Sequence, residues 1–280
     1  MLMLSLPRLH ESRLLRGARF VAGMDETGVG TIAGPVVAAA CILPPDSIVE
    51  LRTDAKSMSK RERLDAFQRL RNTPGMLWSS GAVSAAAVDR IGTPQAVEQA
   101  MIIAATRLER RVLHREKGWH SLRSTDGERP MTYLIDGERV PAGLDGHAII
   151  GGDQAELSIA AASIIAYAVH ASAMEALARR WPLWDLDINS GWPSRGHLLR
   201  IVEHGPSLCH RASCFPFKSR GGRRMAYHPH RFAYERVQRG MRHAAEGGLT
   251  TRNLDQDARS RARDERYRTF YERAQITRRL

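Results

Sequence analysis

Short apolar runs alternate along the chain with longer segments whose apolar residues recur at helical spacing. Short runs of apolar, β-favouring residues predict strands, and they occupy residues 20–24, 36–43, 78–83, 132–135 and 148–150. The first two runs are joined by a short connection, so we expect them to pair antiparallel. Strands interleaved with helices predict an α/β fold with a mixed sheet.

Four segments carry helix signals. Ser59 and Glu62 form a capping box for a helix that ends near residue 70, and Pro94 suits the first turn of a long helix. Further helices are predicted at residues 156–179 and 197–203. Residues 157–174 are the most apolar stretch, but they are rich in Ala and Ser and include Tyr167 and His170. They therefore predict a buried core helix and not a membrane span.

Charge is distributed unevenly along the 280 residues. The net charge is +12, and residues 219–280 hold 16 arginines against 7 acidic residues, so nine of the twelve charges lie there. Aromatic residues are interleaved with these arginines, a composition that suits contact with phosphates and bases. A solvated basic arm without a specific partner is the alternative. We divide the chain into a leader at 1–17, a domain at 18–218 and a basic tail at 219–280.

Cysteine usage and the N-terminus bear on the compartment. Three cysteines give no disulfide framework and suit a reducing environment. The first residues are apolar only briefly before charged residues follow, unlike a signal peptide. We expect a soluble, cytoplasmic, monomeric protein.

Acidic residues follow three of the predicted strands. Asp25 and Glu26 come after the first, Asp136 after the fourth and Asp153 after the fifth, each near a glycine. Acids at the ends of adjacent strands can converge and hold two divalent cations about 4 Å apart, as phosphodiester hydrolysis requires. Oxygen ligands favour Mg²⁺ or Mn²⁺ over Zn²⁺. Taken singly, each acid could instead be an ordinary turn residue.

Several motifs in a fixed order make the chain resemble ribonuclease HII, the bacterial type 2 ribonuclease H. They cover residues 24–30 (Met-Asp-Glu-Thr-Gly-Val-Gly), 33–40, 54–59, 134–137, 152–153, 158–166, 191–194 and 204–211. The resemblance implies a ribonuclease H-like mixed sheet flanked by helices, with a helical C-terminal cap, over about residues 18–218. The basic tail lies outside it.

The resemblance also implies an activity and its residues. Asp25, Glu26, Asp136 and Asp153 would bind two metal ions, Mg²⁺ or Mn²⁺. The enzyme would cut the RNA strand of RNA/DNA hybrids and ribonucleotides embedded in DNA, leaving 3′-hydroxyl and 5′-phosphate ends.

Substrate contacts are implied at a second group of positions. The backbone of Gly28, Val29 and Gly30 would read the ribose 2′-hydroxyl, which separates RNA from DNA. Trp192 stands where the family has a tyrosine at the RNA–DNA junction, and it keeps the stacking face without the hydroxyl. Lys56 is a candidate phosphate contact. His210 and Arg211 are expected to support the fold or a phosphate.

The chain departs from the family at positions that are usually basic or polar. The neutral replacements are Val29, Ser57, Gly151, Tyr167, Asn189, Ser190 and Ala212, and Ala171 stands in place of an acid. Each lost basic residue removes a phosphate contact. We hypothesise that the tail partly replaces these phosphate contacts. The alternative function is a catalytically weak paralogue that binds hybrid or structured nucleic acid as a module.

Overall fold

The computed structural model describes residues 7–14, 18–44, 58–116 and 129–214. Lys56, Ser57 and the tail at 219–280 lie outside these ranges, so the expectations about them stay predictions.

All five described strands lie before residue 150, interspersed with helices, and helices dominate after it. The elements in chain order are α1 (Leu9–Leu14), β1 (Ala18–Thr27), β2 (Val36–Ile42), α2 (Lys60–Arg71), β3 (Leu77–Val83), α3 (Ala85–Ile91), α4 (Thr93–Arg115), β4 (Arg129–Asp136), β5 (Gly146–Ile149), α5 (Gly152–Ala155), α6 (Leu157–Arg180), a 3₁₀ turn (Pro182–Trp184), α7 (Leu186–Asn189) and α8 (Arg195–His204). The capping box of Ser59 and Glu62 at the start of α2 is confirmed. α3 was not predicted from the sequence.

The described strands form one mixed sheet in the order β3-β2-β1-β4-β5. β1 runs antiparallel to β2, with Asp25 opposite Ala39, and parallel to β4, with Met24 opposite Ile135. The predicted mixed sheet and its antiparallel opening pair are therefore confirmed. β1 is the central strand; its pairing with β4 ends at Met24, and its pairing with β2 continues to Thr27.

Helices cover both faces of this sheet. α4 packs on one face, where its buried Met101, Ala104, Leu108 and Val112 join an apolar cluster from the strands. The first part of α6 packs with α2 on the opposite face. β1 lies so close to α6 that a Cβ atom at Gly23 would be 2.1 Å from the Ser158 carbonyl carbon. This close approach brings the α6 side chains to the acidic end of β1.

Among the described helices, α6 alone is long and apolar enough to cross a membrane, and 72% of its apolar window is buried inside the protein. Burial of this kind is what a core helix of a folded domain shows.

The leader contributes a short helix to the core. Leu157 donates its backbone N–H to the Pro7 carbonyl at 3.0 Å, and the His10 backbone N–H donates to the Glu156 carboxylate at 2.6 Å. Glu11 of α1 is buried and paired with Arg8. Residues 7–14 are thus tied to the start of α6.

Contacts divide the described chain into two compact units. One holds the described residues up to Val29 and from Pro35 to Ser172, and the other holds Gly30–Gly34 and the described residues from Ala173 onward. The sheet and all four predicted acids belong to the first unit. Trp192 belongs to the second. The single-domain boundaries expected at 18 and 218 stay a prediction.

The placement of the acids differs from the prediction in two respects. Asp25 and Glu26 lie inside β1, because the ladder with β2 continues to Thr27 opposite Val37. Asp153 lies in the first turn of α5, not at a strand end, because Gly151 turns the chain with a left-handed φ of 66°. Asp136 is the last residue of β4, as predicted.

Candidate active site

Asp25 is a buried carboxylate at the carboxyl end of the central strand, with only 5% of its surface exposed. Its Oδ1 accepts the Glu26 backbone N–H at 2.7 Å. The Ser163 side chain of α6 also hydrogen-bonds to Asp25. Across the ladder, Ala38 and Ala39 of β2 are small and leave room beside the two acids. The carboxylate is therefore fixed by its own strand and by the helix behind it.

Burial raises the pKa of Asp25 well above its usual value, and the charges of Glu26 and Asp136 raise it further. The hydrogen bonds from Ser163 and the Glu26 N–H act in the opposite direction but do not cancel the effect. Desolvation and like charges both oppose ionisation. A positive charge placed among these three acids would relieve that cost, so the site is electrostatically suited to a cation.

Asp136 and Asp153 are joined through the turn between β5 and α5. Asp136 is half-buried, and its Oδ1 accepts the Gly152 backbone N–H at 2.7 Å. Asp153 is the next residue along and is 1% exposed. A Cβ atom at Gly152 would lie 2.5 Å from Ile159 of α6. The glycine thus lets the turn approach α6 and places Asp153 one residue from the amide that binds Asp136.

The donor chemistry fits Mg²⁺ or Mn²⁺. All four candidate side chains offer carboxylate oxygens, the ligands that these cations prefer. Within the described ranges, no three His, Cys, Asp or Glu side chains are grouped closely enough to hold an ion by themselves. Mg²⁺ commonly binds one or two carboxylates and completes its shell with waters and substrate phosphates. The acids of this site match that mode.

The Gly28 turn leaves β1 with a backbone that only glycine adopts readily. Gly28 has a φ of +81°, and a Cβ atom there would lie 2.6 Å from the Pro35 carbonyl oxygen and 3.0 Å from the His170 ring. Val29 follows with 41% of its surface exposed. Close packing therefore requires glycine at the buried position 28, and the exposed residues of the turn are Val29 and Gly30.

Trp192 presents an exposed aromatic face in the second unit. Its side chain is 54% exposed, and a Cβ atom at Gly30 would lie 2.8 Å from the indole ring. The missing side chain at Gly30 lets the ring lie against the loop. An indole held on one side and open on the other can stack on a base.

A pair of buried histidines holds the backbone of Trp192. His197 Nδ1 lies 2.8 Å from the Trp192 carbonyl, which can only accept, so that nitrogen carries the proton. The Ser207 backbone N–H donates to His210 Nδ1 at 2.9 Å. His210 Nε2 therefore donates to His197 Nε2, 3.0 Å away. Burial lowers the pKa of His197 to about 4 and that of His210 to about 3, with His197 lowering the latter further.

Arg211 and Asn189 serve the fold of this unit. Arg211 is fully buried, and its guanidinium donates to the carbonyls of Gly34 and Thr31 at 3.0 Å each. The fold-supporting alternative for Arg211 is thereby confirmed. Asn189 is also buried; it donates to the Trp184 carbonyl at 2.6 Å and accepts the Gly191 N–H at 2.8 Å. Its amide therefore shapes the turn that leads to Trp192.

Sequence reasoning missed two residues that the fold brings to the site. Ser163 was part of an apolar motif and His170 was noted only as a polar residue in that helix. They lie seven positions apart on α6, a spacing that puts both on one helical face. Polar residues on one stripe of an otherwise Ala- and Ile-rich helix were the available signal.

Three comparisons place the chain among known proteins. A family model described as Ribonuclease HII matches residues 22–215. The Ribonuclease HII of Granulibacter bethesdensis is 37% identical over 212 residues, covering 74% of this chain and 89% of the relative. That of Paracoccus denitrificans is 36% identical, covering 74% and 90%.

Solved structures share the fold. The ribonuclease H2 of Pyrococcus horikoshii OT3 has a TM-score of 0.52 at 20% identity, covering 78% of this chain and 97% of that one. Bst-RNase HIII in complex with Mn²⁺ has a TM-score of 0.53 at 16% identity, covering 72% and 68%. The expected ribonuclease H-like α/β fold is confirmed by these likenesses.

Replacing Asp25 by Asn is expected to stabilise the metal-free protein at neutral pH. Because the pKa of Asp25 is raised in the folded state, its ionisation costs stability, and that cost appears as the pH rises through the folded pKa. Thermal unfolding in EDTA should show a higher midpoint for Asp25→Asn than for wild type, and Mg²⁺ should stabilise wild type more than the variant. Asp65→Asn, at an exposed position of α2, is the matched control. A lower midpoint for Asp25→Asn in EDTA would contradict the electrostatic interpretation.

The histidine pair is expected to make the protein acid-sensitive. Both folded-state pKa values lie below the ordinary value of 6.5, so the stability that the neutral pair contributes is present above that value and is lost as the pH falls toward about 4 and 3. His210→Gln should flatten the pH dependence of the unfolding free energy by up to about 1.4 kcal/mol per pH unit. Urea denaturation between about pH 7 and pH 5 measures this slope, with the exposed His147→Gln as control. An unchanged slope in His210→Gln would refute the assignment of this acid sensitivity to the histidine pair.

Proposed function

Because the chain belongs to the ribonuclease HII family, we propose that Asp25, Glu26, Asp136 and Asp153 form its metal-binding catalytic centre. The protein is a metal-dependent endoribonuclease that acts on RNA/DNA hybrids. The binding-module alternative is not favoured. The chain spans 87–90% of the length of curated relatives such as those of Chlamydia caviae and Paracoccus denitrificans.

The observation that carries the proposal is the clustering of charge at Asp25. Glu26 and Asp136 are near enough to raise the pKa of a carboxylate that is already buried, and such a cluster is stabilised by cations. Two divalent ions, Mg²⁺ or Mn²⁺, would polarise the scissile phosphate and supply a water molecule of lowered pKa. Asp25 and Asp136 would anchor them, since both carboxylates are oriented by backbone amides. Glu26 and Asp153 would complete the ligand set.

Recognition of ribose is proposed for the turn after β1. The backbone of Gly28, Val29 and Gly30 would contact the 2′-hydroxyl, which a protein can use to separate RNA from DNA. The left-handed turn at Gly28, which leads to the exposed Val29 and Gly30, supports this role. Trp192 would stack on the nucleotide at an RNA–DNA junction, and Lys56 would contact a phosphate. With these contacts the substrates would include single ribonucleotides embedded in DNA, and cleavage would leave 3′-hydroxyl and 5′-phosphate ends.

We also propose that the enzyme works as a monomer in the cytoplasm. All three cysteines are free thiols, and Cys41 and Cys209 are buried. Burial raises the pKa of both thiols, which keeps them protonated and unreactive. Such thiols suit a reducing compartment.

Asp136→Asn is expected to abolish cleavage while duplex binding remains. The change removes one negative charge from the acid cluster with little change of shape, and the loss of one electrostatic group of an active site costs about 100-fold or more in rate. The assay uses a duplex with a single ribonucleotide in Mg²⁺ or Mn²⁺, with gel analysis of the products and anisotropy for binding. Asp65→Asn should behave as wild type. Wild-type protein that binds the duplex but cleaves it no faster than Asp136→Asn would favour the binding module.

Deletion of residues 219–280 is expected to weaken duplex binding and reduce its salt dependence. The segment carries 16 arginines against 7 acidic residues, and each phosphate that a basic residue neutralises contributes to the salt slope. Binding titrations at several salt concentrations measure both quantities. The rate at saturating substrate should be retained, because the four acids are untouched. Equal affinity of the truncated and full-length proteins at moderate salt would refute a role for the tail in substrate binding.

A further inference from the structure

Arginines of α4 line the outer edge of the described sheet. Arg107, Arg111 and Arg115 each donate through Nη1 to a backbone carbonyl, of Ser80 at 2.7 Å, of Trp78 at 2.6 Å and of Gly75 at 2.9 Å respectively. β3 is the first strand in the sheet order, so these carbonyls have no neighbouring described strand to pair with.

The rise per residue of the two elements explains why side chains of a helix can bind successive outward carbonyls of a strand. Four helical residues rise about 6.0 Å and two strand residues about 6.6 Å, so Arg107 and Arg111 meet the carbonyls of Ser80 and Trp78, two residues apart on β3. The outward carbonyls of an edge strand recur with that period. Arg115 binds Gly75, which lies in the turn before β3. The arginines thus occupy the hydrogen-bonding positions of the edge and bring positive charge to it.

These contacts use only part of each guanidinium. An arginine has five N–H donors, and Arg107 and Arg111 each use one of them to bind a β3 carbonyl. No acidic partner of either residue occurs within the described part of the chain, and Arg110, between them, has no hydrogen-bond or ion-pair partner there. Arg115 differs, because Glu116 pairs with it at 3.3 Å. The positive charge is therefore concentrated at Arg107, Arg110 and Arg111.

Arg107, Arg110 and Arg111 line a groove of about 260 Å³ together with Trp78, Ser79 and Ser80. The Arg111 guanidinium lies 5.4 Å from the centroid of the Trp78 ring, a cation–π contact that holds it at the groove wall. Three like charges around one cleft repel one another unless an anion lies between them. Guanidinium groups bind phosphate oxygens in particular, because the geometry of their donors matches.

The groove lies on the same rung of the sheet as the acid cluster. Asp25 is opposite Ala39, and Ala39 is opposite Ser80. Two interstrand spacings amount to about 10 Å, and a duplex presents one phosphate per strand for about every 3.4 Å of its axis. About 10 Å thus separates the Asp25 backbone from that of Ser80 at the groove wall, and a duplex held for cleavage is long enough to present further phosphates at the edge strand.

We propose that the groove formed by Arg107, Arg110 and Arg111 binds the phosphodiester backbone of the substrate duplex away from the cleavage site. The inference rests on the proposed catalytic centre only for the position of the duplex. This chain has lost basic residues of its family at other positions. The groove would supply phosphate contacts on a different part of the surface.

Arg110→Gln tests the proposal without disturbing the sheet edge, because Arg110 makes no contact with β3 carbonyls. The matched control is Arg90→Gln, which removes the same charge from the exposed end of α3. Affinity for a fluorescent RNA/DNA hybrid is measured by anisotropy with the full-length protein in EDTA, so that no cleavage occurs. Thermal unfolding of each variant checks that the fold is unchanged.

The expected result is a shallower salt dependence of binding for Arg110→Gln. Loss of one phosphate contact lowers the slope by about 0.9, so the affinity deficit is roughly threefold larger at about 50 mM salt than at about 200 mM. In Mg²⁺ the variant should show a raised KM and an unchanged kcat, and Arg90→Gln should match wild type in every measurement.

An unchanged salt slope in Arg110→Gln overturns the proposal. So does a variant that binds the hybrid normally but loses affinity for a poly-glutamate peptide, since the groove would then serve an acidic protein. Cleavage by wild type and its loss in Asp136→Asn are measured separately. Failure of the groove can thus be told apart from failure of the catalytic assignment.

Discussion

A carboxylate buried beside two other acids is the constraint on which the first unit depends. Asp25 lies on the central strand, within the electrostatic reach of Glu26 and Asp136 and almost out of contact with water. Such a cluster opposes folding unless its charge is offset. The fold tolerates it through a few directed hydrogen bonds, from Ser163 and from the amides of Glu26 and Gly152. The same unfavourable charge makes the site receptive to divalent cations. The repulsion between the acids therefore favours cation binding at the position proposed for catalysis.

The remaining parts of the sheet serve this cluster. Alanines in β2 leave space next to the acids, and Gly23 lets α6 approach closely enough for Ser163 to reach Asp25. In the second unit, buried polar groups hold the backbone near Trp192 while its ring stays exposed. Rigid backbone beneath an exposed aromatic face allows stacking without a large loss of conformational entropy on binding.

Much of the fold and of the candidate site could be predicted from local sequence. The strand runs, the capping box of Ser59 and the mixed sheet follow from periodicity and short connections, and the sequence motifs point to the family and to the four acids. The prediction that Asp153 ends a strand was wrong, because a left-handed glycine turns the chain after β5 and Asp153 lies in the first turn of α5. A single backbone conformation at Gly151 decides that difference, and residue type alone does not specify it.

The amino-acid sequence by itself determined which residues could do chemistry: the acids, the glycine turn, the exposed tryptophan and the basic tail. Tertiary structure decided what those residues contact. The Asp25–Ser163 hydrogen bond, the His197–His210 pair and the arginines on the edge of β3 join positions far apart in the chain or separated by a turn. Such contacts depend on the register between packed elements and on burial. Both are properties of the whole fold, because each arises only when distant segments exclude water from one another.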